Sequence, residues 1–155
     1  MITIVAERPD SVDAKQLILE LEAYLAPQYP DESRHGYSVD KLLNEGVAFF
    51  VIRQHGEAAG CGGVQLYDSH YGELKRMYVR SRFRGLGLAQ QLLDHLAAYA
   101  IQNGVSRLRL ETGIHQTEAI GLYEQWSFDR IGPFGEYKAD PLSLFYDKRI
   151  DVQAA

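Results

Sequence analysis

Between residues 73 and 89 the chain reads Glu73-Leu-Lys-Arg-Met-Tyr-Val79, then Arg84-Gly85-Leu86-Gly87-Leu88-Ala89, and then a long amphipathic segment. These residue types specify a strand that turns through glycines into a helix. Two glycines let the main chain approach a ligand closely, while the first turn of the helix offers unpaired N–H groups at the positive end of its dipole. The expected chemistry is anion binding, with phosphate as the ligand. Two other glycine-turn motifs fail on spacing. A dinucleotide fingerprint starting at Gly85 needs a small residue where Gln90 stands, and a P-loop needs Lys then Ser or Thr where the chain has Leu88-Ala89. What fits is Arg84-x-x-Gly87-x-Ala89.

Lys75, Arg76, Arg80, Arg82 and Arg84 fall in one window beside this turn, in a chain of formal net charge −5. The cluster is expected to add to the anion site, whereas the acidic balance argues against general nucleic-acid or membrane-surface binding. His35, His55, His70, His95 and His115 show no metal-ligand spacing, so no metal site is expected. The lone Cys61 permits no internal disulfide and suits a reducing compartment. Within Gly60-Cys-Gly-Gly63 it reads as small packing material, its glycines marking a bulge or a close backbone approach. The start carries no basic segment followed by an apolar one, and no run of about 18 apolar residues occurs, so the cytoplasm is the expected location.

The elements that must hold these groups follow from periodicity. Strands are expected over residues 2–7, 47–53, 58–67, 71–79, 106–111, 128–131 and 142–149, and helices over 11–25, 39–44, 86–102 and 117–126. Ser11 with Asp13 marks the first helix start, Leu88, Leu92, Leu96 and Ala100 recur at helical spacing, and Asn103-Gly104 stops that helix. At 155 residues, 46% hydrophobic and 24% charged, the composition suits one soluble domain.

The turn Arg84-x-x-Gly87-x-Ala89 and the segment Ala119-Ile-Gly-Leu-Tyr123-Glu-Gln-Trp-Ser-Phe128 together resemble the GNAT superfamily of acyl-CoA-dependent N-acyltransferases. The resemblance covers about Val47 to Phe128. Gln116 stands where many members have Asn, and Ser127 where glycine before Phe is usual. The implied fold is mixed α/β, a central twisted, mostly antiparallel sheet of about seven strands flanked by about four helices. The implied cosubstrate is acetyl-CoA. Carried over, Met77, Tyr78 and Val79 would hold the acyl and pantetheine portion, and Arg84, Gly85, Leu86, Gly87, Leu88 and Ala89 the pyrophosphate, with Gln116 as a further contact. Backbone N–H groups aimed at the thioester oxygen would stabilise charge that grows during attack.

The resemblance also places Tyr123 as the acid that protonates the leaving sulfur and Glu73 as a base for the acceptor amine, a relay through water being equally open. The implied reaction is acetyl transfer to a primary amine in a ternary complex. The loops 28–37 and 132–141 would line the acceptor side, where Tyr29, Glu32, His35, Phe134, Glu136 and Tyr137 form an aromatic and acidic wall suited to a small cationic amine. A noncatalytic acyl-CoA sensor is the rival reading, and it has no use for a proton donor at Tyr123. Family members often pair into homodimers through sheet edges or C-terminal strands, which 142–149 leaves open.

Overall fold

The run Val47-Ala-Phe-Phe-Val-Ile52 lacks polar alternation because the strand it forms is covered on both faces. In the computed structural model, which describes residues 1–33 and 37–151, the elements follow as β1 (Ile2–Ala6), α1 (Val12–Leu25), α2 (Val39–Asn44), β2 (Ala48–Gln54), β3 (Glu57–Tyr67) and β4 (Tyr71–Val79). Then come α3 (Leu88–Gln102), β5 (Arg107–Gly113), α4 (Thr117–Gln125), β6 (Asp129–Ile131) and β7 (Ser143–Arg149). From β2, Phe50 and Ile52 pack with Leu88, Leu92, Leu93 and Leu96 of α3. Phe49 and Val51 pack with Ala14, Leu17 and Ile18 of α1 on the opposite side.

The strands form one sheet in the order β1-β2-β3-β4-β5-β7-β6, antiparallel at every junction except β4 with β5. The expected mixed architecture of seven strands and four α-helices is thus the observed one. Ser11 caps α1 as expected, its Oγ accepting from Ala14 N at 3.1 Å. Two boundaries differ by two residues. α3 begins at Leu88 rather than Leu86, because Gly85 and Gly87 have φ of 79° and 76° and lie outside helical space. β5 runs past Glu111 to Gly113, since β7 pairs with it along its whole length.

Two irregularities in β4 prepare a site. Its ladder to β5 holds Gly72 opposite Leu108 and Glu73 opposite Arg109, so among the described residues the segment 74–79 has no ladder partner on that side. On the β3 side, Lys75 pairs with Gly63 and Tyr78 with Cys61, leaving two residues of β4 opposite Gly62. This is a β-bulge, with Arg76 at φ 56°. Gly62 makes room for it: a Cβ there would lie 2.4 Å from Met77 Sδ. The glycines flanking Cys61 therefore mark both a bulge and a close approach, and Cys61 is fully buried, its thiol pushed up by burial.

Candidate active site

Where β4 and β5 part, three hollows run in sequence along the sheet. The first is a cleft of about 280 Å³ between β4, the glycine turn and α4, lined by Met77, Tyr78 and Val79, by Arg84, Gly85, Gly87, Leu88 and Ala89, and by Gln116 and Tyr123. Of the residues expected there, Leu86 falls outside the lining and stands 52% exposed. A Cβ built on Gly85 or Gly87 would meet no protein atom within 4 Å, so their lack of a side chain serves backbone conformation rather than packing. Gly87 caps α3 without any side-chain bond to its first turn. Those N–H groups stay available to an anion. An anion held there would be met by main-chain groups.

Each cation of the basic cluster is paired with a carboxylate. Lys75 pairs with Glu73, Arg76 with Glu22, Arg80 with Glu20, Arg82 with Glu57 and Arg84 with Glu118. The cause is geometric: strand alternation and the turn send these side chains in different directions, and α1 presents Glu20 and Glu22 to two of them. Arg84 acts as a brace, its Nε donating to Val79 O at 3.1 Å while its guanidinium lies 3.2 Å from Glu118. Burial pulls the Arg76 guanidinium down to about 10.

Beyond the cleft lies a smaller chamber of about 100 Å³, walled by 74–77 of β4, 110–113 of β5 and the face of α4. Tyr123 borders both hollows. It is 5% exposed, held edge-on by Phe128 at 5.6 Å, and its hydroxyl has no hydrogen-bond partner among the described residues. Burial pushes its phenol up, with Glu111 adding to the rise, so it keeps its proton at neutral pH. Glu111 is the carboxylate the sequence reasoning missed. It lines this chamber and accepts from Ser143 Oγ at 2.8 Å. The alternation of Leu108 and Leu110 with Arg107 and Arg109 was the available signal, since it puts Glu111 on the face opposite the core.

Gln116 borders both hollows, but its Oε1 is used locally, accepting from Gly113 N at 2.8 Å and Thr112 Oγ1 at 3.3 Å. Its longer side chain thus ties off the end of β5. Tyr29 sits in the chamber rather than on the outer wall, and its hydroxyl accepts from His115 N at 2.9 Å. Ser127 adopts φ 67°, doing at the α4 exit what glycine would do without strain.

The third hollow is an open cavity of about 980 Å³ that shares Tyr37, Lys75 and Tyr137 with the chamber. Glu73 lies here, outside the chamber lining. It is 3% exposed and accepts from Lys75 Nζ at 2.8 Å and from Tyr137 OH at 2.5 Å. Glu32, Glu136 and Tyr137, three of the residues expected to form an acceptor wall, line this cavity. Phe134 does not; it is 8% exposed beneath the wall, packed among Tyr71, Tyr137 and Phe145. His35 lies outside the described residues. Among the described residues no group of side chains could hold a metal ion, and no helix is long and apolar enough to cross a membrane.

Residues 15–128 match the model of the acetyltransferase (GNAT) family. An IAA acetyltransferase of Azospirillum brasilense is 40% identical over 148 residues, covering 95% of this chain and 97% of its own. YsnE of Bacillus subtilis, an uncharacterised N-acetyltransferase, is 35% identical over 78% of this chain and 82% of its own. A Klebsiella pneumoniae crystal structure assigned as an acyl-CoA N-acyltransferase superposes with a TM-score of 0.81 at 35% identity, covering 97% of this chain and 98% of that one.

Proposed function

The chain belongs to the acetyltransferase (GNAT) family, and from that membership we propose that it transfers the acetyl group of acetyl-CoA to a primary amine of a small molecule by direct attack in a ternary complex. Acetyl-CoA supplies the activated acyl group and a thiolate leaving group. The glycine turn and the start of α3 would hold its pyrophosphate, and the β4 edge at Met77, Tyr78 and Val79 its pantetheine arm, much as an added strand pairs with a sheet edge.

The observation that carries the reading is that Tyr123 borders both the cosubstrate cleft and the chamber that also holds Glu111. A phenol kept protonated by burial is suited to give its proton to the departing sulfur. Glu111 takes the proton of the acceptor amine, directly or through one water, which frees the nitrogen lone pair for attack. Glu73, engaged by Lys75 and Tyr137, holds the acceptor side in shape and acts on the reaction through Tyr137. A noncatalytic acyl-CoA sensor would need neither Tyr123 nor Glu111 in that chamber.

The experiment is release of free thiol from acetyl-CoA across a panel of amines, with mass detection of the acetylated product. Amine-dependent release with matching product is the expected outcome. Tight acetyl-CoA binding with no release for any amine would favour the sensor, and no binding would remove the assignment of the cleft.

A further inference from the structure

We propose that Tyr29 limits the length of the acyl group the protein accepts, closing the chamber behind an acetyl group; this concerns the donor in the transfer proposed above and rests on that reading. The chamber is the smallest of the three hollows, about 100 Å³ against about 280 Å³ for the cosubstrate cleft. Both the acyl group and the attacking nitrogen must fit in it.

Tyr29 is a fixed wall of this space. Although it follows α1 in a connecting segment, it is 6% exposed, and Pro30 after it restricts its backbone. Its hydroxyl accepts from His115 N at 2.9 Å, and its ring lies 5.5 Å from the His115 ring. Behind it stands Gly113, where a Cβ would lie 2.0 Å from the Tyr29 hydroxyl oxygen and 2.2 Å from Cζ. The phenol thus occupies the space a side chain at 113 would take, and the ring has no room to retreat toward β5. Leu25 also lines the chamber, but it is half-buried and has no such anchor.

The level of this wall along the sheet assigns it to the acyl side. β4 and β5 run parallel with Glu73 opposite Arg109, and the bulge takes up one residue of β4, so Met77 comes level with residues 112–113. Met77 borders both the chamber and the cosubstrate cleft. The end of the Tyr29 ring therefore stands where a thioester would enter, whereas the outer cavity joins the chamber at Tyr37, Lys75 and Tyr137. A longer acyl chain has two ways to go. One meets the pinned ring and overpacks the chamber. The other passes the buried Lys75 and Glu73 pair, whose charges a hydrocarbon cannot solvate, and fills the space through which the acceptor comes.

Calorimetric titration with CoA, acetyl-CoA and butyryl-CoA reads this limit without any acceptor. The parent protein should bind butyryl-CoA about tenfold or more weakly than acetyl-CoA, the size of an overpacking penalty. Tyr29→Ala and the milder Tyr29→Leu remove the ring beside Gly113 and should bring that ratio toward one, while Leu25→Ala should leave it unchanged. Reading a ratio cancels any general loss of affinity. Equal binding of the two acyl-CoAs by the parent, a ratio unmoved in both Tyr29 variants, or a ratio moved as far by Leu25→Ala would overturn the Tyr29 limit alone. Failure of CoA itself to bind the parent would overturn both this inference and the cosubstrate assignment beneath it.

Discussion

The Tyr137 hydroxyl donates to Glu73 at 2.5 Å, joining the loop between β6 and β7 to the middle of β4. Because Lys75 Nζ reaches the same carboxylate oxygen at 2.8 Å, one acidic group fixes both a strand and a loop. Tyr137→Phe should therefore lower stability by about 1.5–3 kcal/mol, the range for a hydrogen bond to a charged group, and raise the acceptor KM. Urea midpoints and acceptor titrations at saturating acetyl-CoA would check this; an unchanged midpoint would show that the loop is held by Phe134 packing instead.

Tyr123→Phe should leave acetyl-CoA affinity within about a factor of two while kcat falls on the order of 10²-fold, as for loss of a general acid. The raised phenols also govern alkaline stability. Burial lifts Tyr123 and Tyr137, so above the ordinary phenol pKa of about 10 the unfolded chain gives up protons that the folded chain retains. Stability is complete below that pH and declines as pH rises beyond it. The decline should flatten in either Tyr→Phe variant, read as urea midpoint against pH.

Glu111→Gln should depress kcat/KM at neutral pH on the order of 10²-fold. Glu73→Gln should act mainly on acceptor KM, because it releases Lys75 and Tyr137 rather than a proton acceptor in the chamber. A kcat lost in Glu73→Gln and kept in Glu111→Gln would reverse the two roles.

Gly87→Ala forces a side chain into φ 76° at a cost of about 1–2 kcal/mol and sets a methyl group in open space where the proposed pyrophosphate would lie. Acetyl-CoA affinity should fall more than tenfold while the thermal midpoint drops by only a few degrees. Calorimetric titration beside a melting curve separates the two effects.

Ser127→Gly should raise stability by about 1 kcal/mol, since Ser127 occupies φ 67° without needing a side chain to do so. Activity should not change. A lowered melting temperature would mean that the serine makes up its backbone strain elsewhere.

The order of elements was legible in the sequence because each carries its own period or stop: the doubly covered β2, the leucine stripe of α3, the Asn103-Gly104 exit. The glycine turn was legible too, being a local backbone requirement. What escaped was set by contacts distant in sequence. The five cations were read as one patch, but α1, β3 and α4 supply carboxylates to four of them. Glu111 escaped because a single acidic residue at the end of an alternating strand looks like surface until β5 is seen to part from β4. Phe134 was taken for wall when the loop folds it inward, an outcome fixed by Tyr71 and Phe145 from other strands.

The bulge at Arg76 gives β4 two phases. Before it, even-numbered Leu74 faces α3 while Glu73 and Lys75 face the acceptor cavity; after it, odd-numbered Met77 and Val79 take the α3 side and Tyr78 turns toward α1. One strand thereby serves two compartments that a regular pleat would have mixed. The boundary between the two hollows is written as a count of residues, so deletion of one residue at the bulge would turn Met77, Tyr78 and Val79 to the opposite faces.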